Sequence, residues 1–162
     1  MRPHLTLAGL LPLLPSIASA KPANARQASQ GIDEEKVVWD ISMSEPRMLA
    51  ARLSVIKETY DDLGEHGVEP DMVLTFHGKT VRYPTDGKED VPLETHAQVD
   101  RVNAALDQLL ALEGARGEVC GRATRLLGAD NDDVRSDLEV VRNSWISVID
   151  YEKQGYTVVD VK

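Results

Sequence analysis

The run Met72-Val73-Leu74-Thr75-Phe76 limits the possible folds more than any other stretch of the chain. A strand with one wet face alternates apolar and polar residues, and this run does not. Near-continuous apolar character is what a strand covered on both faces requires, and that is the usual situation in a parallel sheet. Parallel neighbours need crossover connections, so helices are expected before and after it.

The flanking sequence supplies them. Val37-Val38-Trp39-Asp40-Ile41 reads as a second buried strand, rich in β-branched and aromatic residues. Between the two, Ser44-Glu45-Pro46 predicts a helix start, with a capping side chain, an acid near the positive end of the dipole and a proline in the first turn. Leu49, Leu53, Ile56, Tyr60 and Leu63 form one apolar stripe, ended by Gly64 and Gly67. A second long helix is predicted from His96 to Leu112, with Val99, Val102, Leu106 and Leu109 on its inner face. A short strand from Gly117 to Cys120 and a short helix from Arg122 to Leu127 follow. After the polar linker ADNDDVRSD come a strand at Leu138-Glu139-Val140-Val141, a helix capped by Asn143 or Ser144 that runs to Gln154, and a last strand from Tyr156 to Val161. The expected architecture is an α/β three-layer sandwich with a mainly parallel five-stranded sheet. The stretch from Lys79 to Glu94 reads as a loop of the long kind that is often functional or mobile.

Before the domain lies MRPHLTLAGLLPLLPSIASA, with a basic start, an apolar stretch from Leu5 to Leu14 and the small triplet Ala18-Ser19-Ala20. This pattern predicts a secretory signal peptide at 1-20, cleaved after Ala20, then a flexible leader at 21-35 and the folded domain at 36-162. The apolar stretch is too short to span a bilayer, which takes about 20 residues. A periplasmic location is expected, with no membrane span. The formal charge of -9 becomes -10 once Arg2 is removed, so nucleic acid and anionic membrane surfaces are excluded as partners.

Familiar chemistries are absent too. The chain has no GxGxxG, GxxxxGK[ST] or GxSxG, and with one cysteine it has no CxxC. Asp130, Asp132 and Asp133 lack the glycine and terminal glutamate of an EF-hand, and His66, His77 and His96 lack the spacing of a helical zinc pair, so no metal site is expected. His66 and His96 read as helix-end residues.

Ligands of open α/β sheets collect at the carboxyl ends of strands. His77 and Cys120 stand at such ends. Cys120 precedes a helix, where backbone N–H groups favour the thiolate, and Gly121 leaves the approach to sulfur free of a side chain. One thiol in an oxidising compartment is either a reactive group or a buried small hydrophobe, and both readings stand on the sequence. His77 is likewise either a proton carrier for Cys120 or a strand-end residue bonded to backbone.

The phrases DMVLTFHG, EVCGRATRLLG and VVRNSWISVIDYEKQGYTVV, in that order and spacing, resemble the DsrE/DsrF-like family over Lys36 to Val161. The resemblance implies a compact α/β domain assembled as a homo-oligomer, a trimer or hexamer. It also implies a cysteine before a helix, matched here by Cys120, that accepts sulfane sulfur as a persulfide and passes it to an acceptor protein. In this reading Cys120 and His77 are the catalytic pair, and Gly78, Gly121, Arg122 and Ala123 shape the substrate side. No cofactor is needed, and a sulfur donor or acceptor protein is the partner. The export signal argues against the cytoplasmic roles of relay proteins such as tRNA thiolation. The alternatives are a non-catalytic binding or assembly module, working through an oligomer face or the Lys79-Glu94 loop, and a small-molecule sensor with its cleft between His77 and Cys120.

Overall fold

The computed structural model describes residues 30–162. The expected signal peptide at 1-20 and most of the expected leader at 21-35 lie outside the described residues. Five strands, β1 (Glu34–Ile41), β2 (Glu69–Phe76), β3 (Ala115–Cys120), β4 (Glu139–Val141) and β5 (Thr157–Val161), form one sheet in the order β4-β3-β2-β1-β5. Every pairing in it is parallel. The helices are α1 (Pro46–Glu65), α2 (His96–Leu110), α3 (Gly121–Leu127) and α4 (Ser144–Lys153). The sheet begins before the expected domain start at residue 36, because Glu34 and Glu35 already pair with Glu69 and Pro70 of β2.

The apolar run that predicted a doubly covered strand is β2, at the centre of the sheet. Side chains alternate between the two faces of a strand. Met72, Leu74 and Phe76 enter the main core with Leu49, Leu53 and Ile56 of α1 and Val99, Val102, Leu106 and Leu109 of α2. Val73 enters a smaller cluster on the opposite face with Val38 and Tyr156, under α4. Full burial of one such aliphatic side chain contributes about 1.5–3 kcal/mol, so the α1/α2 side holds most of the fold's stability.

Two local expectations are corrected. Glu45, not Ser44, caps α1: its carboxylate accepts from the backbone N–H of Arg47 at 3.0 Å and of Met48 at 2.7 Å. A charged acceptor also suits the positive end of the dipole. The Lys79-Glu94 stretch is not a free loop. It opens with a 3-10 turn over Gly78–Arg82, buries Val81, Tyr83 and Val91, and forms an antiparallel bridge between Thr85 and Val134. Thr80 Oγ1 donates to the Met43 carbonyl at 3.0 Å, and Asn103 Nδ2 donates to the Tyr83 carbonyl at 2.9 Å. These anchors were not visible in a segment whose prolines, glycine and charges look like loop composition.

Candidate functional site

On the face covered by α4, the sheet changes character along the strands. Val38 and Val73 are apolar, while two residues further on Asp40, Thr75 and Glu118 lie side by side in register across β1, β2 and β3. Thr75 and Glu118 are buried. Tyr151 of α4 donates its hydroxyl to Glu118 Oε1 at 2.6 Å. His77 follows the carboxyl end of β2, and Cys120 is the last residue of β3.

His77 and Gly78 from the end of β2, Cys120, Arg122, Ala123 and Leu126 from the β3–α3 junction, and Asn143, Ser144 and Trp145 from the start of α4 line a pocket of about 260 Å³. Larger hollows lie elsewhere, of about 710 Å³ at the amino ends of the strands, about 440 Å³ beside Arg135 and about 390 Å³ beside His66, but none of these three is lined by Cys120.

Cys120 is the N-cap of α3 and is 5% exposed. The backbone N–H of Ser144 points at its sulfur, with N and Sγ 3.5 Å apart. Burial pushes the thiol up. The nearby Ser144 hydroxyl, the Ser144 backbone N–H and the amides of Ala123 and Arg122 together outweigh burial and hold Cys120 below its ordinary value. The Ser144 hydroxyl contributes by proximity only, since its Oγ has no partner in hydrogen-bond geometry.

His77 Nε2 lies 3.0 Å from Asp40 Oδ1. Neither atom meets hydrogen-bond geometry, so the contact is an electrostatic pair. The Asp40 contact raises the His77 pKa, burial opposes it, and the charges of Asp40, Cys120 and Asp160 raise it further, with a net upward shift. His77 also donates its backbone N–H to the Ile41 carbonyl at 3.0 Å. It is therefore both a strand-end residue and a pocket residue. A raised folded-state pKa adds stability that is fully present below the unfolded value of about 6.5 and is lost as pH rises through the folded value. Asp40→Asn should thus move the His77 imidazole midpoint down in an NMR titration and cost most stability at acidic pH. An unchanged midpoint would show that Asp40 is not the cause.

The glycines differ in role. Gly78, with φ +59°, lines the pocket and turns the chain out of β2 in a conformation that other residues rarely adopt. Gly121 does not face the pocket. A Cβ there would meet Val140 Cγ1 at 3.1 Å and the Val141 carbonyl at 3.2 Å, so this glycine serves the packing of α3 against β4 rather than access to sulfur. Arg122 is exposed at the rim, and Ala123 is half-buried in the wall.

Sequence reasoning missed Asp40, read only as a strand residue, and Leu126 and Trp145. It took Asn143 and Ser144 only for caps. The strand-end rule applied to β4 would have found both, since they follow its carboxyl end. Asn143 does cap α4, accepting from the Trp145 N–H at 3.2 Å. His66 and His96 lie at helix ends, away from the pocket. Asp130 accepts from the Asp132 N–H at 3.1 Å, capping a 3-10 turn. Among the described residues no group of three or more His, Cys, Asp or Glu is placed to hold a metal ion.

The chain is 24% identical over 124 residues to an uncharacterized protein of Aquifex aeolicus (strain VF5), a match covering 76% of this chain and 55% of that protein. It therefore spans little more than half the length of that relative. Among solved structures it is similar to a protein of unknown function from Methanobacterium thermoautotrophicum, with a TM-score of 0.58 and 18% identity over 78% of this chain and 98% of that one. That likeness concerns the fold alone. The model of the DsrE/DsrF-like family matches residues 37–161, from the buried part of β1 to the last residue of β5, with both His77 and Cys120 inside the match; the chain belongs to the DsrE/DsrF-like family.

Proposed function

We propose that this protein carries sulfane sulfur as a persulfide on Cys120 and hands it to an acceptor protein. Membership of a sulfur-relay family supports the reading. The observation that carries it is local: the lone sulfur lines a pocket and receives an N–H from Ser144, an arrangement that favours the thiolate. The Cys120 thiolate attacks the outer sulfur of a persulfide R–S–SH. A new bond to Sγ forms, the donor's S–S bond breaks, and R–S⁻ leaves and takes up the proton, so there is no net oxidation. An acceptor thiolate then attacks the outer sulfur, and Cys120 leaves as the thiolate. His77, with its raised pKa and its position on the pocket wall, is assigned as the proton carrier. In the same reading the chain is exported on its leader and works as a trimer or hexamer.

The test is direct. Full-length protein incubated with sodium tetrasulfide, then alkylated and weighed intact, should show one added sulfur on the peptide containing Cys120; a chain that gains none rejects the carrier. The pH profile gives a second result. Because the folded thiol lies below its ordinary value, the alkylation rate should level off with an inflection below that of the same thiol in the unfolded chain. An inflection at or above that value would mean that the donors around the sulfur do not act on it.

One set of observations favours a non-catalytic reading. Cys120 is nearly buried, while Leu126, Trp145, Ile146 and Ile149 are exposed apolar residues near the pocket and along α4. That surface suits a partner or a second copy, with Cys120 as packing. A thiol that reacts only after denaturation would support it.

A further inference from the structure

Ser144 occupies the first position of α4, next to the cap position that a serine often fills. That work is already done. Asn143 caps the helix through its side chain, and the Ser144 backbone N–H points at Cys120 Sγ. The Ser144 hydroxyl lies close enough to Cys120 to hold its pKa down, yet its Oγ has no partner in hydrogen-bond geometry; the residue is 1% exposed and lines the Cys120 pocket. A buried hydroxyl without a partner is a cost that alanine would avoid. Its presence in a pocket wall points to a ligand atom.

The other walls narrow the ligand. Ala123, Leu126 and Trp145 are apolar, and the remaining polar side chains, of His77, Arg122 and Asn143, bring no anion. No carboxylate lines the pocket; Asp40 is held against His77 in its wall, and Glu118 accepts from Tyr151. A soft anion with a single charged atom fits such walls. A sulfur oxyanion would present several oxygens to one hydroxyl and few amides.

We propose that Ser144 is a substrate-binding residue whose hydroxyl donates to the outer sulfur of an incoming persulfide R–S–SH and then of the Cys120–S–S⁻ anion it leaves, so that the pocket selects persulfides and hydropolysulfides over thiosulfate. The assignment rests on the carrier reading above. During loading, the Ser144 backbone N–H faces Cys120 Sγ and its hydroxyl faces the incoming outer sulfur. The same pair of donors then holds the Cys120–S–S⁻ anion once R–S⁻ has left with the proton. On transfer the acceptor takes the outer sulfur, and the backbone N–H remains to steady the departing thiolate.

The experiment compares wild type with Ser144→Ala, each offered sodium tetrasulfide, glutathione persulfide or thiosulfate at one concentration. Retained sulfur is read by intact mass, iodoacetamide alkylation is read above the thiol's titration, and the thermal midpoint serves as a check of folding. Wild type should load from tetrasulfide and from glutathione persulfide alike, and not from thiosulfate. Ser144→Ala should alkylate like wild type and keep about tenfold less sulfur, the scale of one hydrogen bond to an anion. Equal sulfur in variant and wild type overturns the role of Ser144 and leaves the carrier intact. Alkylation that falls in step with loading also overturns it, because the hydroxyl would then act through the thiol alone. Efficient loading from thiosulfate overturns the selectivity. A wild type that takes sulfur from no donor removes the carrier reading and this one with it.

Discussion

Cys120→Ser should abolish sulfur uptake, dropping the sulfur recovered per chain by about 100-fold or more, to the background of the mass measurement. Serine keeps the size of the side chain and the N–H from Ser144 at its oxygen, but an alcohol is not ionised near neutral pH and is a poor nucleophile toward sulfur. No second cysteine is present to substitute. The fold should survive, since a small polar side chain at the end of β3 replaces another. Stability then separates the two roles of the thiol. A depressed folded-state pKa contributes stability that is fully present above the unfolded value of about 8.5 and is lost as pH falls through the folded value. The difference between wild type and variant should therefore grow as pH rises toward that range. The His77 midpoint should fall, because the Cys120 charge is one of the influences raising it. A variant that still acquires sulfur would mean the sulfur is bound elsewhere.

The elements that were legible in the sequence are those whose partners lie within one helix or strand. The α1 stripe from Leu49 to Leu63, the inner face of α2 and the apolar run of β2 each carry their own periodicity, and burial of that periodicity fixes the layers. The position of Cys120 between β3 and α3 was legible for the same reason. What the sequence did not disclose depends on contacts between distant residues. The Asp40–His77 pair joins residues from two strands, and Ser144 reaches Cys120 across the gap between α4 and β3. The Lys79-Glu94 stretch looked unstructured because its anchors, Met43, Ser44, Asn103 and Val134, come from elsewhere in the chain. Gly121 was read as open access to sulfur, and only the neighbouring Val140 and Val141 reveal a packing role.

Phe76→Ala should cost about 3–5 kcal/mol of stability, the range for truncating a buried phenylalanine. Phe76 is the only phenylalanine in the chain and is fully buried. It sits in the middle strand, paired in register with Ile41 on one side and Val119 on the other, and its side chain belongs to the α1/α2 core. The cavity it leaves opens in that core among already buried side chains, whose relaxation fills it only in part. Against a total of about 5–15 kcal/mol, a loss of that size should lower the thermal midpoint by roughly 10–20 °C. Val140→Ala, on a partly exposed edge-strand residue, should change it little. The consequence for the site follows from chain position: the next residue is His77, whose backbone N–H is tied to Ile41 beside the cavity. Loosening that tie lets the imidazole move away from Asp40 and the pocket wall. Sulfur loading should then weaken well below the melting temperature, while Val140→Ala loads like wild type. Equal loading in Phe76→Ala under conditions where it remains folded would mean that the geometry of His77 does not limit the reaction.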